Sequence, residues 1–182
     1  MILRDVLKYA VLYLGYADTI DLDDRQTNED NSKELKTLVR CANLVYHELL
    51  SDYLPIFKKE KICFDKGFFP YTNLEEQILN IYSLKAFGEE VVYKTDATGI
   101  YCDEKQAEIT YGILRDNLKL DSYIDIDGRI TPKIFSLGVA SEFCLINNLY
   151  EENLTFEKKY KESLKELLRK KSEIRVKSRG WY

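Results

Sequence analysis

The chain has 182 residues, 45% of them hydrophobic and 32% charged, and a net charge of −4. That allows one well-buried core, or one core carrying an insertion. No apolar run approaches the ~18 residues a membrane span needs, and the start, Met1-Ile2-Leu3-Arg4-Asp5-Val6, lacks the flanks of a signal peptide. On that basis the expected setting is the cytoplasm or something assembled there. The mild acidity weighs against general nucleic-acid binding.

Leu3, Val6, Leu7, Ala10, Val11 and Leu14 form a helical stripe that Gly15 closes. An acidic loop follows from about residue 17 to 30, with Asp18, Asp21, Asp23, Asp24, Glu29 and Asp30 answered only by Arg25. Asn31 and Glu34 have capping-box spacing. Behind them Leu35, Leu38, Val39, Ala42, Val45, Tyr46, Leu49, Leu50 and Tyr53 recur at helical intervals until Leu54-Pro55 stops the pattern.

Between Phe57 and Leu114 the sequence turns to short aromatic and β-branched runs. Strands are predicted near 60–64, 77–84, 90–93, 99–101 and 107–113. Phe87-Gly88 and Asp96-Ala97-Thr98-Gly99 are the expected hairpin breaks. Residues 115–129 are predicted irregular. Thr131-Pro132 is a cap followed by a first-turn proline. From Ile134 to Tyr150 apolar residues cover nearly every side of a helix, which predicts burial almost all round. Gly138 within it implies a closely packed neighbour. Glu151-Glu152-Asn153 is read as the turn, with Asn153 capping a helix that carries Phe156, Tyr160, Leu164, Leu167 and Leu168. The expectation is one α+β domain over 1–182, mainly α. Helices at 1–54 and 130–171 form a bundle, an antiparallel β-meander is inserted at about 57–114, and a basic tail occupies 172–182.

Chemistry is sparse. The four cysteines, Cys41, Cys63, Cys102 and Cys144, make no C-x-x-C pair, so neither a zinc site nor a disulfide framework is expected. The only histidine, His47, lies six residues from Cys41 on a poorly aligned helix face, a weak basis for a Cys-His pair. Asp125-Ile126-Asp127-Gly128 resembles the middle of a calcium loop, but Tyr123 and Ile134 fall where ligands are needed, so a turn is the better reading. No catalytic residue, metal or cofactor is assigned. Adventitious Mg²⁺ or Ca²⁺ at the acidic loop, and a metal-dependent enzyme using Asp21, Asp23 and Asp24, stand as alternatives.

The C-terminal stretch alternates cations with apolar residues and carries the only tryptophan: Arg175, Lys177, Arg179, Trp181, Tyr182. Such residues anchor protein interfaces, and a basic aromatic tail also suits single-stranded nucleic acid. Protein docking is preferred, since no second basic surface is visible.

In layout the sequence resembles the head–tail connector (adaptor, or head-completion) proteins of tailed bacteriophages. The likeness rests on the order helix, acidic loop, long helix and β-insertion. After these come Ile130-Thr131-Pro132-Lys133-Ile134, the helix with Leu137-Gly138-Val139-Ala140-Ser141-Glu142-Phe143-Cys144, and the helix with Tyr160-Lys161-Glu162-Ser163-Leu164. Arg179-Gly180-Trp181-Tyr182 looks like the Arg-plus-aromatic tail of that family. The resemblance implies a structural virion protein with no catalysis, located in the virion neck and assembled in the bacterial host cytoplasm. It implies a ring of about twelve copies of itself beneath the portal protein, extending the channel through which DNA passes without specific binding. Arg175, Lys177, Arg179, Trp181 and Tyr182 would bind the portal, and the β-insertion would face the downstream neck or tail-completion protein; no membrane is implied. A small prophage or host regulatory domain that binds nucleic acid is the alternative from another class.

Overall fold

The computed structural model describes residues 1–17, 20, 22 and 29–169, with the backbone alone for 29–32. The fold is α+β: N-terminal helices and a C-terminal helix pair pack together, and antiparallel sheets are inserted between them. In chain order the elements are α1 (Leu3–Tyr13), α2 (Glu29–Glu48), β1 (Phe57–Cys63), β2 (Phe68–Pro70), β3 (Ile78–Ala86), β4 (Glu89–Glu90), β5 (Lys94–Thr95), β6 (Gly99–Tyr101), β7 (Gln106–Ile113), α3 (Pro132–Ile146) and α4 (Tyr150–Leu168).

Local sequence explains the helix ends. At Gly15, φ is +75°, and the amides of Gly15 and Tyr16 return to the carbonyls of Leu12 and Val11. This is a glycine-closed Schellman turn, as the sequence predicts. The first-turn amides of α1, which have no partner within the helix, are taken by the irregular stretch before α3: Leu3 N donates to Ser122 O and Arg4 N to Leu120 O, both at 3.0 Å. Asn43 on α2 clamps the same stretch, accepting from Leu118 N through Oδ1 at 2.5 Å and donating to Leu118 O through Nδ2 at 3.1 Å. Helix α2 begins at Glu29, two residues before the capping box predicted at Asn31. It finishes in a π-helical turn at Leu49–Tyr53 ahead of Pro55. Thr131 caps α3 as expected, its hydroxyl accepting from Ile134 N at 3.3 Å.

Helix α3 packs against α1, α2 and α4. At Gly138 a Cβ would lie 2.9 Å from Val45 Cγ1 on α2 and 3.1 Å from the Tyr160 ring on α4, so the glycine sits where three helices converge. The helical core collects Leu3, Leu7, Leu38, Tyr46, Phe135 and Phe143 among others.

The end of α3 corrects two expectations. The helix stops at Ile146, and the turn is Asn147-Asn148-Leu149 rather than Glu151-Glu152-Asn153. Asn148 adopts φ +61°, while Asn148 N and Leu149 N return to the carbonyls of Leu145 and Cys144. This is again a Schellman turn, with asparagine, which tolerates the left-handed region, in the place of glycine. Asn153 caps nothing. It lies buried inside α4, and its Nδ2 donates to Ser141 O at 2.8 Å.

The insertion is antiparallel but not a meander. One sheet runs β1-β7-β3-β4, the other β2-β6-β5. Strand β7 buries Ala107, Ile109, Tyr111 and Ile113 and lies between β1 and β3. Phe57 faces Gly112 and Cys63 faces Gln106, so the chain enters and leaves the insertion side by side. The strand predicted at 90–93 resolves into the short pieces β4 and β5, and β2 adds a strand that was not predicted. A second core of Ile62, Leu84, Ile100, Ile109 and Tyr111 lies in the sheets; Ile56 packs against both cores.

Candidate interaction surfaces

The five tail residues predicted to bind a partner (Arg175, Lys177, Arg179, Trp181, Tyr182) lie outside the described residues, as do Asp18, Asp21, Asp23 and Asp24 of the acidic loop. Cys41, His47, Asp125 and Asp127 are described. Cys41 is fully buried on α2, and burial, with Glu142 nearby, pushes its thiol up to about 12. His47 is half-buried, its Nε2 3.0 Å from Asn117 Oδ1. A thiol held protonated at neutral pH is no nucleophile. Around Asp125 and Asp127 the carboxylates are already engaged. Asp125 pairs with Arg115 at 3.1 Å. Asp127 accepts from the backbone and guanidinium of Arg129, which holds its carboxyl down at about 2. The segment is a turn ahead of α3, held by ion pairs to Arg115 and Arg129. Among the described residues no group of three or more His, Cys, Asp or Glu is placed to hold a metal.

What the fold brings to the surface is apolar. Ending α3 early exposes the apex of the α3–α4 hairpin. Leu145, Ile146, Leu149, Tyr150 and Leu154 all stand there at least one-third exposed, Ile146 at 49% and Leu154 at 65%. The sequence pattern assigns the first four to the core; the asparagine turn places them at a hairpin end instead. Five large apolar side chains grouped at one apex are the kind of patch that marks a docking surface, unlike single exposed leucines.

A second surface lies at the tip of the first sheet. Phe87 sits in the β3–β4 turn with φ +53° and is 99% exposed, beside Gly88 at φ +90°. A bulky residue in the left-handed region, with its ring wholly in water, is unfavourable for the isolated chain. It overhangs a groove of about 470 Å³ floored by Ile62 and Ala107. The hairpin break at Phe87-Gly88 is legible in the sequence; the exposure of the ring is not.

No protein-family model matches the sequence, and no curated protein aligns with it significantly.

Proposed function

We propose that this chain is a structural protein of a tailed-phage particle, a connector subunit that forms a ring on the portal and extends the DNA channel toward the tail. The apex of the α3–α4 hairpin is the observation that carries the reading, because a patch of that size and composition favours a lasting protein partner. The charge layout supports it. Helix α4 leads directly into the basic, aromatic stretch from Arg169 onward, while the protein as a whole is acidic. An acidic body suits a wall past which DNA slides, and a basic tail with Trp181 and Tyr182 suits docking on another protein. The tail takes the portal, the exposed Phe87 tip takes the downstream neck or tail-completion protein, and the apex is available to neighbouring copies.

The test is co-sedimentation of the purified protein with emptied, portal-bearing capsids, using circular dichroism as the folding control. The full chain is expected to pellet with capsids. Deleting residues 174–182 is expected to leave a folded protein that stays in the supernatant. Charge reversal at Lys177 and Arg179 should mainly slow association and make it salt-sensitive, as rim charges do. Trp181→Ala should speed dissociation and cost ~2 kcal/mol or more. A truncated protein that binds with unchanged affinity would move the portal contact to the apex or the β-insertion. A full chain that never pellets would end the connector reading.

A further inference from the structure

The groove where α2, α3 and α4 meet holds an arrangement that the connector reading does not use. Its volume is about 310 Å³, and Gly138 and Val45 line it together with Tyr160. Tyr160 is 3% exposed, and its hydroxyl has no hydrogen-bond partner. A buried hydroxyl without a partner is costly and rare in a well-packed chain. The Tyr160 ring edge lies beside Gly138, Cε2 and Cζ each 3.1 Å from where a Cβ there would stand, and both residues line the groove.

Around it the charge is unbalanced. Glu48 comes from α2, Glu142 from α3, and Glu157 and Lys161 from α4. Lys161 is paired with Glu157 on the rim, where both side chains are more than one-third exposed. Three carboxylates therefore face one ammonium. Burial raises both Glu48 and Glu142 above the ordinary carboxylate value, reinforced at Glu48 by Glu142 and at Glu142 by Glu157.

We propose that this groove is a binding site for an ammonium group carried on an aliphatic stem, either a free diamine or a lysine side chain presented by another protein. The geometry favours that chemistry over a metal ion. The acidic groups are not grouped as metal ligands, and the groove is far larger than a bare ion, with Val45 and Leu145 as apolar wall. An ammonium between Glu48 and Glu142 has three donors. Two satisfy the carboxylates, and the third reaches the Tyr160 oxygen, whose own proton then goes to one of the glutamates. The stem lies along Val45 and Leu145, and the Lys161–Glu157 rim moves aside to admit it. The site takes no part in the portal docking of the tail, so failure here would leave the connector reading untouched.

Isothermal titration of the full chain with cadaverine and with Nα-acetyl-lysine methylamide tests the proposal and separates the two sources by which binds more tightly. Binding with Kd on the order of 1 mM or tighter is expected for at least one. The double variant Glu48→Gln, Glu142→Gln should weaken it at least about tenfold. Tyr160→Phe should weaken it about threefold or more while leaving the empty protein as stable or more so, because it removes an unpaired hydroxyl. That split between affinity and stability is one a purely structural tyrosine would not show. Absence of binding by both probes, binding that survives the double variant, or equal competition by Mg²⁺ would each overturn the assignment.

Discussion

Glu48 and Glu142 are carboxylates whose surroundings oppose their charge. Each is raised above its ordinary 4.5, burial being the larger cause and a neighbouring carboxylate the next, so the folded state binds protons more tightly than the unfolded chain. Their contribution to stability is therefore fully present below pH 4.5 and is lost as pH rises through their folded values. In amine-free buffer, Glu142→Gln should raise the melting temperature at pH 7 and flatten its fall between pH 4.5 and 7; an unchanged slope would show that Glu142 is not desolvated. Asp96 acts in the opposite sense. Its carboxylate accepts from Thr98 N and Thr98 Oγ1, both at 2.7 Å, and from Tyr101 Oη, which holds it down at about 2. Stability from that turn is present above pH 3.8 and lost as pH falls toward 2. At the core, Phe143 is buried edge-on to Tyr16 at 5.9 Å. Phe143→Ala should cost about 3–5 kcal/mol in denaturant melts. A loss below about 1 kcal/mol would mean that α3 is not central to the helical core.

At the scale of elements, the α3–α4 turn decides which residues are core and which are surface. Asn148 sits at φ +61°. Asn148→Gly should be neutral to within about 0.5 kcal/mol, whereas Asn148→Ala should cost about 1–2 kcal/mol, because only the alanine must hold a Cβ in the left-handed region. Equal stability of the two in urea titrations would place the turn elsewhere. This turn also shows what the sequence could reveal. The starts of α1 and α3 and the stop of α2 are written in Leu3, Thr131-Pro132 and Leu54-Pro55, signals that act within a few residues. Hydropathy alone carries the apolar run on through Tyr150 and hides the apex, although the Asn147-Asn148 pair is itself a turn signal. Strand β2 is three residues long and is held by a remote partner, Phe69 opposite Ile100, so no local pattern announces it. Gly99 is similar: a Cβ there would lie 2.3 Å from Phe69 O, a constraint visible only once the two strands meet. The strand order is hidden for the same reason, since β1 and β7 are joined by register rather than by a turn. The unpaired Tyr160 hydroxyl and its three glutamates are drawn from α2, α3 and α4, so no one helix carries their signature.

For the whole molecule, the pairing of the insertion's first and last strands makes a strong prediction. Ile113 N donates to Ile56 O at 2.9 Å, so the two ends of the insertion lie a single hydrogen bond apart. The helical core and the sheet core are separate clusters that share Ile56 as a packed neighbour. Residues 57–113 should therefore be replaceable by a short Gly-Ser linker, since closing a short loop between adjacent ends costs little entropy. The shortened protein should retain the helical signal of α1–α4 in circular dichroism and unfold cooperatively. It also divides the proposed contacts between the two parts of the molecule. If the tail beyond α4 holds the portal, the helical remnant should still co-sediment with portal-bearing capsids. It should fail to recruit the next neck protein, because Phe87 and its groove have gone with the sheets. Removing the tail while keeping the sheets should give the converse result. A helical remnant that folds but no longer binds the portal would transfer that contact to the β-insertion and reverse the orientation proposed for the ring.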